Sequence, residues 1–419
     1  MRLTQIVDFW VGVPLCFLLA CLRGVLKPFR SKSRPVPKRV LFLEISEMGS
    51  AIIAYSSIAH LKEQLQTEEL FFLIFEKNRE SVELLGLIPP QNIIGLSDRS
   101  FLAFTFGVLK ALVKVRRLKI DSAIDLELFS RFTAIFSLLC GAKNRVGFSN
   151  YTAEGLYRGS FLTHPVFYNP HQHMALNFLA LVESLVVPAE ERPLLKRNVG
   201  VLVRDLPRFE PSTEEKQRLE SLLKSINPEF STSRQLIVIN PDPGEALPIR
   251  GWPLENFIQS VTQLAARLPY AMFAVIGLER SKPYAEAIAA VLTPDRFLDL
   301  CGKTKTLREV VTLFSFSQLL IGNDSGPAHF AALTDIRIIS LFGPETPALY
   351  GPLSSMAVNI WAGYACAPCL SAHNHRFTCC RNNRCLQAIP PEKVSAVALE
   401  LLGSGSAAVS KSRLDPALP

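Results

Sequence analysis

The sequence predicts an α/β chain of two doubly wound domains. Short apolar runs recur between amphipathic segments, the alternation occurs in two series, and a charged, proline-containing stretch separates them. A length of 419 residues allows two or three domains of about 100–200 residues, each able to bury a core. The net charge of +8 is unevenly placed: Arg23, Lys27, Arg30, Lys32, Arg34, Lys38 and Arg39 crowd one segment without an acid. The remainder is close to neutral, so composition gives no reason to expect a nucleic-acid partner.

Ahead of that basic run, Ile6 to Leu22 is apolar apart from Asp8, with Gly12 and Pro14 inside it. Its 17 residues fall just short of the roughly 20 that a span needs, and no small-residue cleavage site follows. The expectation is an uncleaved membrane anchor, a short span or an interfacial helix, with residues 1–38 contacting the inner membrane from its cytoplasmic face. The other reading is a hydrophobic helix packed on its own protein. Ser31 to Lys38, a Ser/Pro/Lys linker, speaks for the anchor.

In the first series, Arg39–Ser46 reads as a buried parallel strand, followed by the loop Glu47-Met48-Gly49-Ser50 and the helix Ala51–Gln64. Strands at Leu70–Phe75, Asn92–Leu96, Ser122–Phe129 and Arg145–Phe148 alternate with helices at Arg79–Leu87, Phe101–Leu118 and Arg131–Cys140. Ligands of such sheets sit at the carboxyl ends of the strands, which singles out Ser46–Ser50 and Glu127–Arg131. Tyr151–Pro170, with Arg158, His164 and Tyr168, reads as an irregular loop, either acceptor-binding or merely packed. His171 and His173 precede the helix Met174–Leu185 and suit a helix start better than a metal, since no third ligand is near.

Pro188–Ser233 marks the crossing between domains. The second series has strands at Leu236–Asn240, Met272–Gly277, Phe297–Leu300, Leu319–Gly322 and Ile336–Phe342. Its helices fall at Pro253–Leu268, Tyr284–Leu292 and Leu307–Phe316. Gly322–Ala332, GNDSGPAHFAA, is the strand–turn–helix on which a phosphate would bind. Gly326 allows close backbone approach, Ser325 to Ala328 offer N–H groups at a helix start, and Pro327 suits the first turn. Asp324 and Ser325 can cap that helix or touch a ligand, and His329 lies one turn inside. Arg250 follows the first strand of this half and suits a diphosphate, while Glu279 ends the next strand and can accept from ribose hydroxyls.

In order along the chain stand Pro241-Asp242-Pro243-Gly244, Arg250-Gly251-Trp252-Pro253, Gly277-Leu278-Glu279, Leu307-Arg308-Glu309, NDSGPAHFAA, LFGPETP from Leu341, Cys366-Ala367-Pro368-Cys369 and IPPEKV from Ile389. This series resembles glycosyltransferase family 9, the ADP-heptose:lipopolysaccharide heptosyltransferases, over roughly Arg39 to Leu402. The resemblance implies a GT-B fold, two Rossmann-like domains facing a central cleft: residues 39–205 for the acceptor and 206–402 for the nucleotide sugar, with a disordered tail at 403–419. It implies an inverting, metal-independent transfer without cofactor, from a nucleotide-sugar donor, ADP-heptose, to a lipid-linked envelope glycan such as the lipopolysaccharide core. Asp324, Ser325, Gly326 and His329 would hold the donor's sugar and diphosphate. Arg250 would stand where the family has a phosphate-binding lysine, and Glu279 would meet the ribose.

One position departs from the pattern. The family's first loop ends in Gly-Asp, whose aspartate is the general base, and here the residue is Ser50. An ordinary serine hydroxyl is no base near neutral pH. Glu47 is the favoured replacement in that loop, with Glu44 in the strand behind it; activation of the acceptor by another group is the next reading. Another nucleotide sugar, or a donor-binding scaffold without turnover, are the alternatives. Cys366, Cys369, Cys379, Cys380 and Cys385, with His373 and His375 among them, read as a packed thiol-rich loop before a zinc knuckle, because the family shares similar cysteines without a catalytic metal.

Overall fold

The structure, a computed structural model, describes residues 8–25, 35–64, 67–149, 156–245, 247–374 and 376–403. The first two residues of the expected anchor, most of its basic run and linker, the start of the aromatic loop, His375 and the expected tail from 404 onward lie outside them. The chain divides into two compact units, one of residues 1–205 with 371–377, the other of 206–370 with 378–419. The short segment 371–377 therefore belongs to the first unit, although its sequence position lies inside the expected second domain.

Among the described residues each unit holds a six-stranded parallel sheet. In the first, β1 (Arg39–Leu43), β2 (Glu69–Phe75), β3 (Ile93–Leu96), β4 (Ser122–Asp125), β5 (Asn144–Ser149) and β6 (His164–Phe167) take the order β3-β2-β1-β4-β5-β6. In the second, β7 (Leu236–Asn240), β8 (Met272–Val275), β9 (Phe297–Asp299), β10 (Leu319–Asn323), β11 (Arg337–Phe342) and β12 (Ala357–Trp361) run β12-β11-β10-β7-β8-β9. In each order the sequence reverses direction beside the first strand, which leaves a crevice at the carboxyl ends. Apart from the half-buried Arg39 that opens β1 and the buried Asn240 and Asn323 that end β7 and β10, these central strands are apolar and buried, as a sheet covered on both faces requires.

Several expected elements differ. The strand from Ser122 stops at Asp125, because the Glu127 amide turns back onto Asp125 Oδ1 at 3.2 Å and Phe129 takes φ +60°. The helix expected over Arg79–Leu87 is only the four residues Glu80–Glu83, preceded by a 3-10 turn at Glu76–Asn78. Part of the supposed irregular loop is β6, an edge strand in which Pro165 costs no ladder bond on the open side. The crossing segment contains helix Thr213–Ile226, whose charged residues form a solvated face over buried Leu219 and Leu223. β12 was not expected at all.

The helices used below are α1 (Gly12–Val25), α2 (Met48–Ile53), α3 (Tyr55–Gln64), α4 (Phe101–Arg117), α5 (Arg131–Leu139), α6 (Met174–Glu183), α7 (Thr213–Ile226), α8 (Leu254–Arg267), α9 (Lys282–Ala289), α10 (Leu307–Phe316), α11 (Gly326–Ala331) and α12 (Pro391–Gly403). Helix α1 docks one face on α5: Cys16 is buried with Ala134 and Phe161, flanked by Leu19, Ala20, Ile135 and Leu138. Asp8 accepts from the Arg131 guanidinium at 2.6 Å and from its amide at 3.2 Å. The apolar N-terminal segment is thus packed on its own protein along one face, while Phe17, Leu18 and Leu22 on the other are exposed.

Candidate active site

In the first unit, chemistry gathers where β1 and β4 end. Ile45 and Ser46 continue from β1, and their amides donate to Glu127 Oε1 at 2.9 and 3.2 Å, as does the Ser46 hydroxyl at 3.2 Å. Asn78 holds the same loop from the other side by donating to the Ser46 carbonyl at 3.1 Å. Glu47 precedes α2, and Ser50, the departure from the family pattern, donates its hydroxyl to Glu47 Oε2 at 3.0 Å. The other Glu47 oxygen pairs with Arg376 of the segment 371–377. Asp125, fully buried at the end of β4, pairs with Arg158.

Four carboxyl groups, Glu44, Glu47, Asp125 and Glu127, thus share this end of the sheet with two guanidinium groups. Like charges in a poorly hydrated place resist ionisation. Burial pushes Glu127 up to about 7, helped by the charges of Glu47 and Asp125, and the amide bonds offset only part of that rise. Glu44, only 2% exposed, is raised well above the usual range by burial first and by Glu127 and Glu47 next. Burial also raises Asp125, against the opposing charge of Arg158. Glu127 Oε2 accepts no hydrogen bond among the described residues, which leaves one carboxylate oxygen anchored and the other available.

The remaining residues of the aromatic segment are mostly spoken for. Arg158 is buried on Asp125, His164 bonds Thr163 at 2.8 Å, and Tyr168 packs edge-on against Phe129 and Phe148. His173 is a helix-start residue whose Nδ1 accepts from the Ala175 amide at 3.2 Å. His373, from 371–377, stacks beside Phe129 and Tyr168.

In the second unit the expected donor residues converge on the ends of β7 and β10. Asn323 ties the two strands together, accepting from the Trp252 amide at 2.8 Å and donating to the Pro241 carbonyl at 2.8 Å. Asp324 and Arg250 pair at 3.3 Å, Asp324 being buried and Arg250 nearly so. Ser325 occupies the N-cap position of α11, but its hydroxyl donates to Asn240 Oδ1 and the Asn323 carbonyl, both at 3.1 Å, and does not cap the helix. The Ala328 amide is paired to the Ser325 carbonyl at 3.2 Å, contrary to the expectation of an open N–H there, whereas those of Ser325 and Gly326 have no partner among the described residues. His329 is buried in the same short helix.

Glu279 lies at the end of β8 in a 3-10 turn and holds Lys282 at 2.5 Å with most of its side chain exposed. Gly302 takes φ +71°, a left-handed backbone that favours glycine, and a Cβ there would also stand 3.1 Å from Glu279 Cα. Sequence reasoning passed over Asp242, which accepts from Ser281 Oγ at 2.6 Å and from the Gly244 amide at 2.8 Å and so fixes the loop leading to Arg250. It also passed over Asn240, Asn323 and Arg376. The first three lie within or beside the motifs, and strand-end position was the available signal; for Arg376 there was none. Among the described residues no group of three or more His, Cys, Asp or Glu is arranged to hold a metal ion.

Comparison with known proteins gives a consistent picture. Residues 111–378 match the sequence model of glycosyltransferase family 9 (heptosyltransferase). Lipooligosaccharide heptosyltransferase 2 of Haemophilus influenzae is 29% identical over 266 residues, 62% of this chain and 70% of that protein. The lipopolysaccharide core heptosyltransferase OpsX of the same organism is 22% identical over 325 residues, 76% of this chain and 83% of that one. The solved Escherichia coli ADP-heptose lps heptosyltransferase II superposes with a TM-score of 0.66 at 20% identity, covering 87% of this chain and 98% of that one. A glycosyl transferase family 9 structure from Veillonella parvula gives 0.68 at 20%, covering 88% and 98%. Escherichia coli heptosyltransferase WaaC with ADP gives 0.59 at 14%, covering 87% and 99%.

Proposed function

The chain belongs to glycosyltransferase family 9, a GT-B glycosyltransferase of the heptosyltransferase kind that serves lipopolysaccharide biosynthesis, and from that premise we propose that it transfers heptose from ADP-heptose to a lipid-linked core acceptor, with inversion and without a metal. The observation that carries the reading is the carboxylate group at the end of β1 and β4. It supplies a proton acceptor beside the loop from which the family's aspartate is missing.

In the proposed step the acceptor hydroxyl oxygen forms a bond to the anomeric carbon while the bond to the diphosphate breaks. ADP leaves and the hydroxyl proton passes to a carboxylate. Glu47 is in the right loop, but its two oxygens are occupied by Ser50 and Arg376. Glu127 has one oxygen held by three donors, the other open, and a proton affinity near neutrality, which is where a general base is most effective. We therefore assign the proton to Glu127 and the placing of the loop to Glu47 and Ser50. On the donor side, Arg250 is well suited to the diphosphate as a fork of donors, with Asp324 orienting it; Ser325 and Gly326 offer amides, Glu279 the ribose contact, and His329 the floor of the turn.

The membrane and the cytoplasmic face of the inner membrane enter this proposal through α1, whose outer face is apolar and exposed. Lying flat on the bilayer agrees better with its packing on α5 than a span does. Incubation with ADP-heptose and a heptose-deficient core lipid tests the function. Release of ADP coupled to a heptosylated product is the expected result; donor binding without turnover across acceptors would leave only a scaffold.

A further inference from the structure

Helix α4 is apolar on two opposite faces, and only one of them is used. Phe104, Val108, Ala111, Leu112 and Val115 pack on the sheet and α5. Directly opposite, at the i, i+4, i+7, i+11 spacing of a single stripe, stand Leu102, Phe106, Leu109 and Val113, exposed by 70, 73, 55 and 50%. Soluble surface helices place polar residues there, so a continuous exposed apolar stripe marks an interaction surface.

The charges beside the stripe specify the partner. Helix α4 contains Lys110, Lys114, Arg116 and Arg117 and no acidic residue. Lys110 and Arg117 pair with no carboxylate among the described residues, while Lys114 and Arg116 reach only the carbonyls of Gln91 and Leu139, at 3.3 and 2.9 Å. An apolar stripe flanked by long cationic side chains fits a surface that is apolar inside and anionic at its rim, where such side chains extend to the headgroups. Helices α4 and α1 are both carried on α5: Phe132 of α5 packs on Phe104 on the inner face of α4 with ring centroids 5.3 Å apart, and Ala134, Ile135 and Leu138 of the same helix receive α1.

We propose that the outer face of α4 is a membrane-docking surface that seats on an anionic bilayer, giving the first unit a second lipid contact besides α1. This deepens the membrane reading above, and its test separates the two. The full chain is floated with vesicles of phosphatidylcholine alone and of phosphatidylcholine with phosphatidylglycerol in equal parts. The variant Leu102→Gln/Phe106→Gln/Leu109→Gln/Val113→Gln is compared with Lys110→Gln/Lys114→Gln/Arg117→Gln and with Phe17→Gln/Leu18→Gln/Leu22→Gln in α1. The expected result is a fall of about tenfold or more in partitioning for the α4 stripe variant, and loss of the preference for phosphatidylglycerol in the cationic variant, which changes no apolar residue.

If the α4 variants partition like the wild type while the α1 variant does not, the proposal fails and the α1 reading stands; the reverse outcome keeps the proposal and removes α1. Absence of wild-type binding overturns both. A wild-type dimer that the stripe variant converts to monomer, with unchanged vesicle binding, would make this face an interface between copies and overturn the proposal.

Discussion

Ser50 stands where the family resemblance places an aspartate, and in the proposed mechanism the carboxyl groups around it take over that role. Its hydroxyl braces Glu47, whose charge, after burial and ahead of that of Asp125, lifts the proton affinity of Glu127. Ser50→Asp would add another carboxyl group beside Glu127, Glu44 and Asp125, which are already raised, so the pH–rate profile should move upward and activity at neutral pH should fall; a gain would return the base role to position 50. Stability carries the same signature. Because the folded-state value of Glu127 is raised, the folded chain binds protons more tightly, and stability falls as pH climbs from about 4.5 to about 7. Glu127→Gln retains an accepting oxygen for the Ile45 and Ser46 amides and should flatten the thermal midpoint across that window, though not completely, since Glu44 and Asp125 are raised too. On the proposed donor side, Arg250→Ala strands the buried Asp324 and removes the charge proposed to meet the diphosphate, and should raise the KM for ADP-heptose by about tenfold or more. At this scale the sequence named Glu47, Ser50, Arg250 and Asp324, and pointed at the loop beginning with Glu127. It gave no sign that Arg376 would meet Glu47, because a pairing across 329 residues leaves no local pattern.

Elements were legible where one period dominated and illegible where charge or proline interrupted it. The apolar strands β1, β7 and β10 and the helix α10 begin where the sequence places them, since buried parallel strands are apolar throughout and α10 opens on a Thr306 cap that accepts from Glu309 at 3.1 Å. Helix α7 was hidden by its charge, yet it carries a reciprocal capping box, Ser212 Oγ accepting from the Glu215 amide at 3.2 Å and Glu215 from the Ser212 amide at 2.8 Å. Arg308 also binds Glu215, whose carboxyl is held down to about 2 largely by that bond. Ser212→Ala should cost about 1 kcal/mol in denaturant unfolding; no change would mean that the Arg308 pair alone sets this end. β6 was missed because four residues with a proline give no countable alternation. The outer stripe of α4 was visible in sequence only as extra hydrophobicity, and its meaning required knowing which face the sheet had taken.

For the whole molecule, the division into two Rossmann-like units follows from two βαβ series, and the family resemblance from motifs concentrated in the second. The short excursion 371–377 into the first unit broke the simple domain boundary, because a loop's packing partner is not written in its own residues. Donor choice belongs to this scale: ADP-heptose should raise the thermal midpoint more than UDP- or GDP-sugars, a ligand at 100 times its Kd contributing about 2.7 kcal/mol. Equal shifts from all three would point to another donor. The most direct test of the account is the pH dependence of heptosyl transfer in the wild type, Glu127→Gln and Glu47→Gln. The wild type should gain activity with pH through an apparent pKa of about 7. Glu127→Gln should lose at least about a hundredfold in kcat together with that limb, as removal of a general base does, while Glu47→Gln keeps the limb at reduced rate. An unchanged profile in Glu127→Gln, or loss of the limb only in Glu47→Gln, would contradict it.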